Sequence, residues 1–133
     1  EKPIDLFNNG KHSRDFTYID DIVEGIIKTL DNPASSSINW NSNNPDPASS
    51  IAPWCVYNIG NNKPVQLMDY VDALEKALGK KAKLNFLPLQ PGDVPDTFAN
   101  VDNLKAKFNY KPSTSVVDGV ANFVKWYKDY YRK

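Results

Sequence analysis

The chain has 133 residues, of which 41% are apolar and 24% are charged, a balance that is ordinary for one soluble globular domain. Its 16 basic residues offset its 16 acidic residues, which argues against a nucleic-acid binder and against an acidic disordered tail. No apolar run approaches the roughly 20 residues that a membrane span needs. One cysteine, Cys55, and one histidine, His12, exclude a disulfide framework and a zinc site of thiolates and imidazoles, and the lone cysteine predicts a cytoplasmic protein.

The first part of the chain is predicted to hold two strands and a helix. Residues 4–7 alternate apolar and polar side chains before an Asn-Asn-Gly turn, and residues 16–19 are β-branched or aromatic, so both predict strands. A helix follows, with Asp21 and Glu24 spaced as in a capping box, and Pro33 ends it. Five apolar side chains fall on one face of this helix and are expected to be buried: Ile22, Val23, Ile26, Ile27 and Leu30.

The rest of the chain predicts a strand, a helix, another strand and two further helices. Residues 34–53 are rich in Ser, Asn, Pro and Asp and form a long, mobile loop, which is either an insertion or a lid. Strands are predicted at 54–59 and 82–87, and helices at 66–78 and 101–108, the first of them stopped by Gly79. The last helix begins near Ser115 and Asp118 and places these side chains inward: Val116, Val120, Phe123, Val124, Tyr127 and Tyr131. The order predicts a mixed α/β domain without a complete run of βα units.

No local motif in the chain carries catalytic chemistry. The sequence has no nucleophile elbow, zinc-binding helix, Cys-x-x-Cys or phosphate-binding loop, and no glycine-rich turn for a dinucleotide. His12 is interpreted as a solvated turn residue rather than a general base, and Cys55 as a buried structural thiol. Asp20 and Asp21 could form an acid/base pair, but helix capping explains Asp21 more simply. We therefore predict no catalytic residue and no metal site in this chain.

Two segments favour ligand binding over a purely structural role. Arg14 stands at the entry of a predicted strand, where a guanidinium suits a bidentate grip on phosphate or carboxylate, although a salt bridge with Asp15 or Asp21 is the alternative. Residues 87–95 contain three prolines and a glycine, which stiffen the loop that presents Gln90 and Asp93. An amide and a carboxylate suit sugar or ribose hydroxyls, and the alternative is a turn that merely crosses the top of a sheet.

These segments resemble a known family. The sequence RDFTYIDDIV at 14–23 resembles the RDF-x-Y-V-D-D segment of extended short-chain dehydrogenase/reductases that act on nucleotide sugars. VYNIG at 56–60, QPGDV at 90–94, YKP at 110–112 and FVKWY at 123–127 follow in the family's order, so the resemblance covers nearly the whole chain except 34–53. Within this NAD-dependent epimerase/dehydratase family, the sequence is most similar to bacterial UDP-glucuronate 4-epimerases. The chain opens at Glu1 without a methionine, and we expect the C-terminal, substrate-binding portion of such an enzyme, with the Rossmann domain missing.

The resemblance implies a division of labour. In these enzymes an N-terminal Rossmann domain holds NAD and supplies the Ser/Thr, Tyr and Lys that act at C4 of the sugar, so residues 1–133 would bind the UDP-sugar. The resemblance assigns the contacts as follows: Arg14 to the diphosphate, Asp93 to a ribose hydroxyl, Asp5 and Phe7 along the uracil, Thr97 beside the sugar, and Gln90 in place of an arginine that many relatives use as a second phosphate ligand.

Further expectations follow from the same resemblance. The parent enzyme is expected to be a homodimer that uses NAD and binds neither nucleic acid nor membrane, and the isolated chain is expected to be inactive. Loss of the Rossmann half would leave apolar surface exposed, so the chain is expected to self-associate. The alternatives are a nucleotide-sugar dehydratase or decarboxylase of the same family, and a non-catalytic nucleotide-sugar-binding module.

Overall fold

Residues 2–132, which are the residues that the computed structural model describes, contain two short strand pairs, four α-helices and a short 3-10 helix at Phe7–Gly10, joined by irregular segments. Strand β1 pairs with β4 in parallel, and β2 pairs with β3 antiparallel. The predicted α/β class is confirmed, although the strands form two separate pairs instead of one small mixed sheet. The elements are β1 (Ile4–Leu6), β2 (Ser13–Arg14), α1 (Ile19–Leu30), β3 (Val65–Gln66), α2 (Leu67–Leu78), β4 (Leu84–Phe86), α3 (Asp102–Phe108) and α4 (Val116–Tyr131).

The three later helices form where the sequence predicts them because their ends carry local signals. Helix α2 stops at Gly79, which adopts the left-handed conformation with φ of 67° that glycine takes at low cost. Helix α4 begins after Ser115, whose hydroxyl accepts a hydrogen bond of 3.1 Å from the backbone N–H of Asp118. Its Val120 and Val124 are buried as predicted. Phe123 and Tyr131, predicted on the same side, are about half exposed, with 49% and 52% of their surface accessible.

Two predicted strands are wrong. Residues 15–18 are irregular, α1 begins at Ile19, and the strand lies just before this segment, at Ser13–Arg14. Residues 54–59 form no regular strand, and Cys55 makes only an isolated bridge with Ser49. Strand propensity reports how well side chains fit a paired and half-buried surface, and no regular strand among residues 2–132 lies beside 54–59 to supply one.

Most of the buried apolar residues lie in two small clusters. One lies between α2 and α4 and contains Ala73, Val120 and Val124. The other surrounds α3 and contains the fully buried side chains Val101, Leu104 and Tyr110. The hydroxyl of Tyr110 donates a hydrogen bond of 3.2 Å to the carbonyl of Gly60, which gives its buried polar end a partner.

Helix α1 faces the domain with the side opposite to the one predicted. Its buried residues are Asp21 and Gly25, and the carboxylate of Asp21 accepts hydrogen bonds from the backbone N–H groups of Ser113 and Thr114. Asp21 therefore does not cap its own helix, which begins after Tyr18 without a side-chain cap. The apolar face points outward, and its exposed members are Val23, Ile26, Ile27 and Leu30. None of the helices among residues 2–132 combines the length and apolarity needed to cross a membrane.

The segment at 34–53 is irregular and mostly exposed. Backbone hydrogen bonds tie its ends together, from Ser37 to the carbonyl of Ser50 at 2.8 Å and from Val56 to the carbonyl of Ala48 at 2.9 Å. These bonds close the segment on itself, and its role as an insertion or a lid stays a prediction.

Candidate functional site

The structure brings Arg14 to the proline-rich loop. Its Nη2 donates to Oδ1 of Asp93 at 3.3 Å and to the carbonyl of Val94 at 2.8 Å, and its Nη1 donates to the carbonyls of Pro95 at 2.7 Å and Ser13 at 3.0 Å. The backbone of β2 reinforces the contact, because the N–H of Ser13 donates to Pro95 at 2.9 Å. The two segments that the sequence singled out therefore meet at one place on the fold.

The guanidinium of Arg14 is held mainly by uncharged backbone carbonyls. Four hydrogen bonds use the four protons of its terminal nitrogens, and only one of their acceptors, Asp93, is charged. The predicted alternative partners Asp15 and Asp21 are not the ones used. The side chains of Arg14 and Asp93 remain 24% and 31% exposed, so an anion arriving from solvent can reach the guanidinium and would compete with Asp93 for it.

His12 is buried beside the same carboxylate. Only 5% of its surface is accessible, and its Nε2 lies 3.4 Å from Oδ2 of Asp93 without forming a hydrogen bond. Its backbone carbonyl accepts a hydrogen bond of 2.8 Å from Leu67, where β3 leads into α2. The interpretation of His12 as a solvated turn residue is therefore wrong, because its backbone is tied between β2 and the start of α2 and carries the imidazole inward.

Asp15 and Asp21 are structural carboxylates, but their partners are not the helix N-terminus or the Arg14 side chain that the sequence predicted. The carboxylate of Asp15 accepts three backbone N–H groups, those of Asn62 at 3.1 Å, Lys63 at 3.3 Å and Ala99 at 3.1 Å. Asp20, in contrast with the buried Asp21, is exposed, so the two do not form a shared acid/base site. The available signal was weak: three carboxylates, at 15, 20 and 21, beside aromatic and β-branched residues, where a buried carboxylate would need hydrogen-bond donors from elsewhere in the chain.

Residues 14–21 thus act as one connecting segment. Arg14 holds the loop at 93–95, Asp15 holds residues 62–63 and 99, and Asp21 holds residues 113–114. Phe16 stacks on Tyr70 of α2 with ring centroids 4.4 Å apart. The connecting segment fixes the positions of several loops relative to β2, and so it determines the geometry of the candidate site.

The other predicted site residues lie on the same loop or on the neighbouring strand pair. Gln90 and Thr97 are exposed, and the hydroxyl of Thr97 accepts a hydrogen bond of 3.4 Å from the backbone of Asp15. Asp5 is exposed on β1 and accepts a hydrogen bond of 2.8 Å from Asn85 of β4. Phe7 is half-buried and directly follows β1. Because the loop at 87–95 continues from β4, the partner of β1, both groups flank the same strand pair.

A separate pocket is lined by residues 16–19, Tyr70 and the first turns of α4. Its lining is mainly apolar and brings together no charged side chains. Within residues 2–132, no group of three or more acidic, histidine or cysteine side chains is arranged to hold a metal ion. We therefore take the cluster of Arg14, Asp93 and His12 as the candidate site.

Comparison with protein families then adds a decisive observation, because the family model described as GDP-mannose 4,6 dehydratase matches residues 1–123. This chain belongs to that family. The chain is similar to Protein CapI of Staphylococcus aureus, at 53% identity over 133 residues covering 100% of this chain and 40% of that protein. A probable UDP-glucuronate 4-epimerase of Rhizobium meliloti is 47% identical over 136 residues, covering 99% of this chain and 39% of that protein.

A solved structure of the family agrees with the fold. The UDP-glucuronic acid 4-epimerase of Bacillus cereus in complex with NAD superposes with a TM-score of 0.71 at 28% identity, covering 98% of this chain and 34% of that chain. The resemblance to NAD-dependent epimerases and dehydratases is therefore confirmed. The chain spans between 28% and 40% of the length of these curated relatives.

Proposed function

We propose that this chain is the UDP-sugar-binding portion of an NAD-dependent UDP-sugar 4-epimerase whose substrate is UDP-glucuronate. The observation that carries the proposal is the meeting of Arg14 with Asp93 on a proline-stiffened loop. The relatives named UDP-glucuronate 4-epimerase support the choice of reaction and sugar. NAD binding and hydride transfer belong to parts of the enzyme outside these residues, and the parent enzyme is a cytoplasmic homodimer.

Electrostatics explain how Arg14 would hold the nucleotide. A diphosphate carries about two negative charges, and a charge-assisted hydrogen bond to a guanidinium contributes about 1.5–3 kcal/mol. Of the four bonds that the guanidinium makes, the one to Asp93 at 3.3 Å is the longest, so the incoming phosphate exchanges with it first. Such binding energy, remote from the reacting carbon, serves to orient the sugar for hydride transfer.

Asp93 would then serve the ribose. Its Oδ1 also accepts the backbone N–H of Val94 at 2.8 Å, which keeps the carboxylate at the loop after Arg14 has turned to the phosphate. Gln90, in the same loop, is neutral and leaves the second phosphate charge to a cation elsewhere in the enzyme.

The remaining contacts belong to the base and the sugar. Asp5 and Phe7, on and after β1, would line the uracil, and the small Thr97 would lie beside the sugar and leave room for its carboxylate.

A dehydratase or decarboxylase of the same family is the second candidate, since the matching family model bears a dehydratase description. The two reactions share the nucleotide grip and differ at the sugar C4 to C6 region, which other parts of the enzyme would contact. A non-catalytic nucleotide-sugar-binding module is the third candidate, and product analysis of the full-length polypeptide separates it from both enzymes.

The nucleotide assignment is tested by calorimetric titration of the chain with UDP, GDP and uridine. Arg14→Gln is expected to weaken UDP binding about tenfold or more while uridine binding changes little, because uridine has no phosphate. The matched control is Arg132→Gln, at the only other arginine of the chain, which lies just after α4. Equal UDP affinity of Arg14→Gln and the unmodified chain, or a preference for GDP over UDP, would refute the assignment.

A second experiment tests whether the chain is inactive by itself. Incubation of the 133-residue chain with NAD and UDP-glucuronate is expected to give no UDP-galacturonate. Appearance of that product would show that the chain is catalytic by itself.

A further inference from the structure

Nε2 of His12 is a buried polar atom that lacks a partner. Among residues 2–132 it is the one buried side-chain nitrogen or oxygen without a hydrogen bond. Leaving such a group unsatisfied destabilises the folded state, so a buried imidazole in this state calls for an explanation. Its position beside a charged carboxylate of the candidate site suggests that the missing bond forms in another state of that site.

The carboxylate of Asp93 has three donors around it and is hydrogen-bonded to two of them. Its Oδ1 accepts from Arg14 at 3.3 Å and from the backbone of Val94 at 2.8 Å. Its Oδ2 faces Nε2 of His12 at 3.4 Å, which is at the outer limit of a hydrogen bond, and the direction is unsuitable for one. Both hydrogen bonds described for the carboxylate fall on Oδ1, so release of Arg14 would let Oδ2 turn toward Nε2 of His12.

We propose that His12 is a positioning residue of the nucleotide site, which donates from Nε2 to Asp93 when the diphosphate draws Arg14 away from that carboxylate. The inference rests on the proposed function and names a residue that the nucleotide itself does not touch. The exchange leaves no charged group without a hydrogen-bond partner, because the guanidinium then binds the phosphate and the imidazole donates to the carboxylate. Without this donor, the freed carboxylate would continue to compete for Arg14, and the N–H of Val94 alone would hold its orientation toward the ribose.

Two variants separate the hydrogen bond from mere filling of space. The amide nitrogen of glutamine reaches about as far as Nε2 of histidine, whereas the shorter asparagine mimics Nδ1 and falls short. His12→Gln is therefore expected to bind UDP within about twofold of the unmodified chain, and His12→Asn about tenfold more weakly, the loss typical of one hydrogen bond to a charged group. Thermal unfolding without ligand verifies that both variants are folded.

A double-mutant cycle with Asp93→Asn distinguishes a positioning role of His12 from a purely structural one. If His12 acts through Asp93, then His12→Asn has little further effect on UDP binding once Asp93 has been replaced. The chain contains a single histidine, so the imidazole signals in an NMR spectrum belong to His12, and added UDP is expected to shift its Nε2 resonance.

The outcomes separate the two proposals. An unmodified chain that does not bind UDP overturns the proposed function, and the assignment of His12 with it. UDP binding that is weakened by Asp93→Asn and by neither His12 variant overturns the assignment of His12 alone. The assignment of His12 is also overturned if His12→Asn weakens UDP binding by the same factor in the Asp93→Asn background, because the residue then acts without that carboxylate.

Discussion

Replacement of Asp15 by asparagine tests whether the connecting segment holds the loops together. The carboxylate accepts backbone N–H groups on both oxygens, with Asn62 and Ala99 on Oδ2 and Lys63 on Oδ1. An amide has one acceptor oxygen, so the variant can keep the two bonds on one side only. It must then turn its own N–H₂ group toward the N–H of Lys63.

The expected destabilisation is about 3 kcal/mol. Losing the charged bond to Lys63 costs about 1.5–3 kcal/mol, and turning the other two bonds from charged to neutral acceptors costs about 0.5–1 kcal/mol each. Partial exposure of the bond to Lys63 places its contribution at the lower end of that range. The sum is a large fraction of the stability of a domain of this size.

Urea unfolding followed by circular dichroism measures this loss. The matched control is Asp72→Asn, which removes the same charge from an exposed position of α2 and is expected to change the free energy of unfolding by less than about 0.5 kcal/mol. Equal stability of the Asp15 and Asp72 variants would refute the structural role of the Asp15 carboxylate.

Three further predictions concern packing, titration and association. A Cβ on Gly60 would lie 2.4 Å from Cβ of Ala99, so Gly60→Ala should lower the free energy of unfolding by about 1–3 kcal/mol. Adding Ala99→Gly should recover part of that loss in thermal unfolding, and additive effects in the double mutant would contradict this. Burial, followed by nearby carboxylate charges, raises the pKa of Tyr110 to about 12, whereas tyrosine in the unfolded chain titrates near 10. This contribution to stability is present below about pH 10 and is lost as the pH rises toward 12. Tyr110→Phe should therefore reduce the fall of the unfolding free energy between pH 10 and pH 12, and an equally steep fall in the variant would contradict this. The exposed face of α1 should make the chain associate at high concentration, and Ile26→Lys should reduce the mass seen by light scattering; a monomer before substitution would count against this.

Local signals made the later helices predictable. A glycine that ends α2 and a serine that caps α4 act within a few residues, so their effects can be read without knowledge of the fold. The orientation of α1 could not be read in the same way, because periodicity identifies an apolar face without saying what covers it. The buried carboxylate of Asp21 decides the orientation through bonds to residues more than 90 positions away.

The residues of the candidate site also differ in how far the sequence could predict them. The resemblance pointed to both Arg14 and Asp93, and the structure brings them together across 79 positions. The burial of His12 gave no local signal, since a single histidine between a lysine and a serine looks like an exposed turn. The strand expected at 54–59 failed because pairing depends on a neighbour that the sequence does not name.

The connecting segment has a consequence for attempts to redesign donor preference. Substitutions within residues 14–21 would alter the scaffold and the ligand contacts together, so variant libraries aimed there would lose stability as well as binding. The exposed positions of the 87–97 stretch can be varied with less risk, because Gln90 and Thr97 face solvent while the backbone around them is clamped from the other side. Library diversity placed there would sample recognition and leave the scaffold intact.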